Sequence, residues 1–398
     1  MINVINEKNI KQNLLSFYIS LFFITIAVSL PHSVLTILLL NKGLSLSQIM
    51  LIQVGYSLAI ILIEYPSGIL ADIYSRKLIF ILSKLFLIML FIIVFLSNNF
   101  ILLFIAWFLY GISSALENGT IEVQIINDLK VIKNEKIKTF IKKSNILNFI
   151  ALILGSTLGS YLYFKIGISI YLISILLTTF SVIIIAIIYR NTKTKREISK
   201  ISFKPLKKQV YSSLYELKNN YNLRCILMFT AASQIFFQTH FQLWQAFFLT
   251  IGINKESFFI FYIIFQLIGI ISYIIPINYK YLSKKIFIVI FFLISIIPIF
   301  LMVNENTISL IIYILCILFY TILSFIYTLK FTEEVSTTNI SSLTSLKSTT
   351  NRFIAIITLL FSSLLLNFIS AKYVVTINFI IASLFSGLTF IKFIKKHN

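Results

Sequence analysis

Three carboxylates stand inside long apolar stretches of this chain: Glu64, Glu117 and Glu122. An ionised side chain is costly in such a setting, so an acid retained there is a functional candidate. Out of water a carboxyl group holds its proton more tightly, which suits proton coupling, and its ionised form suits recognition of a cation. With a helical rise of about 1.5 Å per residue, Glu117 lies roughly 16 Å and Glu122 about 9 Å from Asp128, and Glu64 about 12 Å from Asp72. The plainer alternative for each is a structural acid hydrogen-bonded to a neighbouring helix. A second constellation is uncharged. Gln234, Gln238, Gln242 and Gln245 recur at intervals of four, four and three, which places them on one helical face beside His240 and Trp244. Such a row either lines a cavity or bonds to a partner helix. His32, next to Pro31, is a further cavity candidate, facing His240 if the two halves correspond, and Pro31 introduces a local bend. A third constellation closes one apolar run and precedes the next: Gly68, Asp72, Arg76 and Lys77.

Other chemistries find no residues. The sequence has no phosphate-binding G-x-x-x-x-G-K-[ST] loop, no metal-ligand spacing and no nucleophile-base pair. Cys225 and Cys316 both fall in apolar stretches without C-x-x-C spacing. Nothing argues for an enzyme, and no cofactor is expected beyond the proton as coupling ion. The net charge of +21 could suggest nucleic acid, but the cations are scattered in short segments between apolar runs, which argues against it.

The elements that must position these residues are membrane helices. Of 398 residues, 59% are hydrophobic and 12% charged, with a mean hydropathy of +0.97. That balance demands a bilayer as solvent. Runs of about 20 apolar residues place roughly twelve spans at 14–40, 48–70, 78–97, 100–123, 145–164, 168–189, 224–250, 258–277, 286–303, 308–329, 350–369 and 374–394. The first follows a polar start and is too long for a signal-peptide core. With the N-terminus in the cytoplasm, all of the 34 Lys and Arg except Lys42, Lys165, Lys255 and Lys372 fall on or near the cytoplasmic side. The even span count returns the C-terminus to the same side.

The longest break, 190–223, is basic and divides the chain into bundles at 1–189 and 224–398. Residues 206–219 form either an amphipathic helix on the inner leaflet or a solvated linker. The halves repeat at a shift of 209 residues: Gly43 falls on Gly252 and Arg76 on Lys285, while Glu64 meets Tyr273 and Asp72 meets Tyr281. Parallel repeats joined by a basic linker suit a transporter that rocks two halves about a central site.

The stretch Gly68-Ile-Leu-Ala-Asp72-Ile-Tyr-Ser-Arg76-Lys77 resembles the loop 2–3 signature of the major facilitator superfamily, with Ser75 where the family has a second Gly. Glu64-Tyr-Pro66-Ser67-Gly68 resembles the form found in a drug-efflux branch, and Gly111 to Glu122, ending in Asn127-Asp128, is similar to that branch's fourth span. The resemblance implies a gating latch of Gly68, Asp72, Arg76, Lys77 and Asp128, with Asp72 facing the N-terminal end of span 11 around Thr349 and Thr350. Ser75 weakens the tight turn, since Ser is disfavoured at positive φ. Gly155 and Gly159 in span 5 permit close helix approach, but that span lacks the Pro of the family's antiporter signature. Ser336–Ser345 reads as a polar gate loop between spans 10 and 11.

The expectation is therefore an all-α membrane protein of twelve transmembrane helices in two six-helix pseudo-symmetric halves. It would work as a monomer in a bacterial cytoplasmic membrane on a small-molecule substrate. Proton-coupled export of lipophilic neutral or cationic molecules comes first. A proton-linked nutrient importer and a non-transporting sensor on the same fold are the alternatives. The cavity as read holds carboxylates but no central Lys or Arg, which argues against anionic substrates.

Overall fold

A chain in hydrocarbon must satisfy its backbone polar groups internally, and continuous helix does this most simply. The computed structural model describes residues 7–132, 135–191, 203–274, 307–336 and 339–395, nearly all of them helical. The helices are α1 (Glu7–Ser29), α2 (Leu35–Asn41), α3 (Leu46–Ile73), α4 (Arg76–Leu96), α5 (Phe100–Glu117), α6 (Ile121–Ile132) and α7 (Glu135–Ile166). They continue with α8 (Ile170–Ile188), α9 (Phe203–Asn219), α10 (Tyr221–Thr250), α11 (Phe258–Ile274), α12 (Thr307–Glu334), α13 (Ile340–Leu365) and α14 (Ala371–Lys395). All the expected spans but one fall on these helices. The ninth, 286–303, lies outside the described residues, as do Tyr281 and Lys285 of the repeat. By length and composition, 8 described stretches can cross a membrane.

Two expected spans are broken. The first opens at Leu30–Val34, where Pro31 cannot continue the helix and the chain turns on bonds from the His32 N–H to Ser29 O and from the Val34 N–H to Pro31 O. The fourth opens at Asn118–Thr120, with Gly119 at φ 80°, in the left-handed region that glycine tolerates best. There the Thr120 hydroxyl and N–H both return to the Glu117 carbonyl, at 2.6 and 3.2 Å.

The described helices form two compact units. One contains α1–α8 and residues 255–263; the other contains α9, α10, the rest of α11 and α12–α14. In the first, α5 packs between α3 and α4, and α1 lies against α7 and α8. The α1–α7 seam is made of small residues. The Thr25 hydroxyl donates to Asn148 Oδ1 at 3.0 Å and the Ser33 hydroxyl to Ser156 O at 2.8 Å. A Cβ at Gly155 would meet the Ser29 hydroxyl, and one at Gly159 would overlap the Leu30 carbonyl. The G-x-x-x-G spacing thus lets α7 approach the break in the first span. In the second unit α10 packs against α12, α13 and α14. Its core is aromatic, with Phe236 stacked on Tyr320 at 3.9 Å and Phe229 on Tyr327 at 3.7 Å.

The 209-residue repeat survives as geometry. Gly43 and Gly252 both have positive φ, 87° and 79°. Each is followed by the same six-residue bond, Leu44 N–H to Leu39 O at 3.2 Å and Ile253 N–H to Phe248 O at 3.0 Å. These are glycine-based helix stops of the same type.

Residues 203–219 are helical, and α9 is stapled to the α12–α13 turn. The Glu216 carboxylate accepts from the Ser336 N–H (2.9 Å), the Ser336 hydroxyl (2.6 Å) and Asn339 Nδ2 (2.6 Å). Glu334 accepts from Asn220 Nδ2 at 3.2 Å and Asn222 Nδ2 at 3.0 Å. The polar segment expected as a gate loop is mostly helix, because α13 already starts at Ile340. Burial by itself would raise the Glu216 carboxyl, but the Ser336 and Asn339 bonds together hold it below its ordinary 4.5. A lowered folded-state value means that the staple contributes fully above the ordinary carboxylate range and is lost as pH falls through the folded value.

Two outcomes follow from this packing. Gly159→Ala should destabilise by about 1–3 kcal/mol, through overpacking against Leu30. Gly269→Ala, where a Cβ meets nothing within 4 Å, should be neutral or stabilising in the same detergent melt. Equal melting temperatures for the two variants would contradict the seam. Glu216→Ala should speed amide exchange at Ser336 at neutral pH, and wild type should approach the mutant rate only in acid.

Candidate functional site

The signature bend is built without a positive-φ residue. α3 ends at Ile73, Tyr74 and Ser75 are extended, and the Ser75 side chain accepts from the Leu78 N–H to cap α4. Ser therefore supplies here what a tight glycine turn would otherwise supply, a clean helix start. The Lys77 ammonium donates to Ala186 O at 2.7 Å and Tyr189 O at 2.9 Å, closing the C-terminal carbonyls of α8. Arg76 and Asp128 both act electrostatically on the buried Tyr189, so the structure gathers them about one phenol. Asp128 Oδ1 also accepts from Gln124 Nε2 at 2.8 Å. Both Gly68 and Asp72 belong to α3, but the surroundings of Gly68 and the Asp72 side chain lie outside the described residues. The expected partner of Asp72, a helix N-terminus at Thr349 and Thr350, is not one: α13 begins at Ile340, so those N–H groups lie in the helix interior. The macrodipole effect is confined to the first turn.

Glu64 and Glu122 are exposed, Glu64 on α3 and Glu122 in the first turn of α6. Glu117 is different. It is the last residue of α5, and its carboxylate contacts Lys84 of α4, Oε1 to Nζ at 2.5 Å. Lys84 is wholly buried, with the Phe80 ring 5.0 Å from its ammonium, whereas the Glu117 side chain is 43% exposed. Lys84, grouped above with the cations on or near the cytoplasmic side, stands eight residues into α4 and has no exposed surface. A carboxylate at a helix C-terminus is opposed by the macrodipole, and a cation there offsets the cost.

The exposed face of Glu117 looks into a cavity of about 270 Å³ within the first unit. α1 contributes Phe17, Ser20, Ile24 and Thr25; α4 contributes Phe80 and Leu87; α5 contributes Tyr110, Ser113 and Ser114; α7 contributes Asn148 and Leu152. Lys84 is not among the lining residues. The chamber thus offers one carboxylate, a band of hydroxyls and one amide, and an aromatic wall. A carboxylate in such a set can take up a proton or pair with a cation.

The glutamine face in α10 divides. Gln234, Gln238 and Gln242 are half-buried, with a long bond of 3.5 Å from Gln234 Nε2 to Gln238 Oε1. Gln245, Trp244 and His240 are packed inside the second unit. The His240 Nδ1 bonds to the Tyr313 hydroxyl at 3.0 Å, and its ring is enclosed by Phe265 and Tyr313. His32 lies in the break of the first span and bonds through Nδ1 to the Tyr262 hydroxyl at 3.0 Å. Each histidine thus bonds to a tyrosine of its own unit. Sequence reasoning also missed Asn378, which donates to Thr239 at 3.0 Å and Ser362 at 2.8 Å and so ties α10, α13 and α14 together. A lone Asn in an apolar run was the available signal.

A family model described as Major Facilitator Superfamily matches residues 17–339. Comparison with curated protein sequences gives no match. Among solved structures, a mutant of the nucleoside transporter NupG superposes with a TM-score of 0.77 at 15% identity, covering 96% of this chain and 99% of that one. A bacterial homolog of the human lysosomal transporter Spinster, inward-facing and unoccupied, gives 0.72 at 13% identity and covers 98% of both chains. At these identities the likeness is one of fold.

The unequal exposure of the ion pair predicts unequal mutants. Glu117→Gln strands a fully buried ammonium and should cost about 3–5 kcal/mol, whereas Lys84→Met leaves a carboxylate that the cavity can hydrate and should cost less. Lys84→Met/Glu117→Gln should recover most of the loss. Melting temperatures in detergent test the order, and a larger drop for Lys84→Met would overturn it.

Proposed function

The chain belongs to the major facilitator superfamily, a family of membrane transporters, and from that we propose that it exports lipophilic neutral or cationic small molecules in exchange for protons by alternating access. The observation that carries this reading is the Glu117 carboxylate, placed at a helix break and half-exposed in an aromatic-walled chamber. In such a chamber a carboxylate accepts either a proton or a cation, and the two compete. The bend Glu64-Tyr-Pro66-Ser67-Gly68, similar to a drug-efflux branch, supports export. The loop cations support a bacterial cytoplasmic membrane with both termini inside, and one chain forms the working unit. Arg76, Asp72 and Asp128 serve as the inner latch in this reading, with Lys77 as its anchor on α8.

The second reading is proton-linked import of a polar neutral solute. Ser20, Thr25, Ser113, Ser114 and Asn148 give the chamber a hydrogen-bonding wall, and the superposable NupG is a nucleoside transporter.

In proteoliposomes with an imposed pH gradient, wild type should accumulate a lipophilic amine against its gradient. Glu117→Gln and Lys84→Met/Glu117→Gln should both lose this accumulation, the latter with its fold restored. Gradient-driven accumulation unchanged in both variants would remove Glu117 from coupling. Cells lacking the protein should retain more amine if it exports, and take up less nucleoside if it imports.

A further inference from the structure

Lys84 stands behind the chamber, and the transport reading leaves it without a task. Its ammonium is fully buried, has the Glu117 carboxylate at 2.5 Å, and does not reach the cavity. Glu117 therefore has two faces. One is held by a cation that cannot leave; the other is open to a space large enough for a small amphiphile.

We propose that Glu117 is a shared carboxylate, which binds a lipophilic protonated amine on its cavity face while Lys84, the resident cation on its other face, sets the affinity and promotes release. The proposal rests on the reading of Glu117 as the coupling group. An arriving ammonium finds a carboxylate able to accept its N–H groups, with the rings of Phe17, Phe80 and Tyr110 available to its apolar part. While it is bound, one carboxylate serves two cations, and their mutual repulsion in a medium of low dielectric weakens the hold on each. When the amine leaves, Lys84 restores neutrality, so the empty site is never an uncompensated buried anion at the disfavoured end of α5. Because the ammonium of Lys84 is shut away from the cavity, an anionic solute meets only the carboxylate. The chamber rejects anions although it is built on a Lys–Glu pair. A neutral isostere of the amine gains nothing from Glu117 and is insensitive to Lys84.

The probes are 4-phenylbutylammonium and its neutral counterpart 4-phenylbutan-1-ol, binding to the full chain in nanodiscs. Removing the competing charge with Lys84→Met should tighten amine binding about tenfold and leave the alcohol unchanged, since a unit charge at contact distance is being withdrawn. Lys84→Arg keeps the charge and holds the carboxylate through a planar fork, so amine affinity should fall severalfold, again without change for the alcohol. That second variant keeps the proposal testable if Lys84→Met does not fold. An amine-to-alcohol ratio unmoved in the folded variants, or moved in the opposite direction, overturns the proposal. Amine exchange at saturation should also slow in Lys84→Met, because release has lost its competitor, and faster exchange counts against it. If Glu117→Gln abolishes coupling while the Lys84 variants behave as wild type, the transport reading stands and only the shared carboxylate fails. If Glu117→Gln retains coupling, the transport reading itself fails.

Discussion

Hydrocarbon does not hydrogen-bond, so every peptide group that leaves a helix inside a bilayer must find a partner within the protein. This constraint makes a break in a membrane helix expensive and therefore informative. Among the described residues the first unit contains two of them, at Leu30–Val34 and Asn118–Thr120, and each stands beside a polar residue of interest, His32 in one and Glu117 at the other. Their orphaned groups are recovered locally, by turn bonds in the first and by Thr120 in the second. The neighbours adapt as well. Gly155 and Gly159 bring the backbone of α7 against the first break, where any larger residue would collide. Gly111, on α5, similarly seats that helix against Tyr56 and Ala59 of α3. The chamber between α1, α4, α5 and α7 is what remains where these close approaches end.

The two units solve the polar problem in different ways. The first uses charge and small hydroxyls: Lys84 with Glu117, Ser20 with Ser181 at 2.5 Å, Thr25 with Asn148. The second uses aromatic stacking and shields its polar groups within it, as with His240 on Tyr313 and Tyr320 on Ser383 at 3.0 Å. A buried ion pair is a poor source of stability, since desolvation offsets most of the attraction. In this pair the two charges differ in access to water, Lys84 being fully buried and the Glu117 side chain 43% exposed.

Much of the fold was legible in the sequence because span length, short turns and loop charge are direct consequences of a bilayer's thickness and polarity. Gly43 and Gly252 entered the sequence reading only as anchors of the repeat; the backbone shows that both stop helices, in a conformation few residues other than glycine accept. Lys84 was not legible. It comes eight residues after Arg76, close enough to the loop to read as one more interfacial cation whose long stem snorkels outward. Only the packing of α4 on α5 shows that its ammonium turns inward to Glu117. Thr349 and Thr350 misled in the opposite sense: an apolar run begins there, but hydrogen bonding carries α13 nine residues further back through Ser and Thr. Hydropathy marks where a helix enters lipid, and it does not mark where the helix begins.

The attachment points of the linker carry a mechanical consequence. On the first unit, both the N–H and the carbonyl of Arg190 are bonded to the Asn13 side chain, at 2.8 and 3.0 Å, and Lys77 clasps the carbonyls just before it. On the second, Glu216, Asn220 and Asn222 rivet α9 and the start of α10 to the α12–α13 turn. Tension along the connecting chain would therefore not peel α8 or α10 away from its end. It would be shared at once by α1, α4 and α8 at one anchorage and by α10, α12 and α13 at the other.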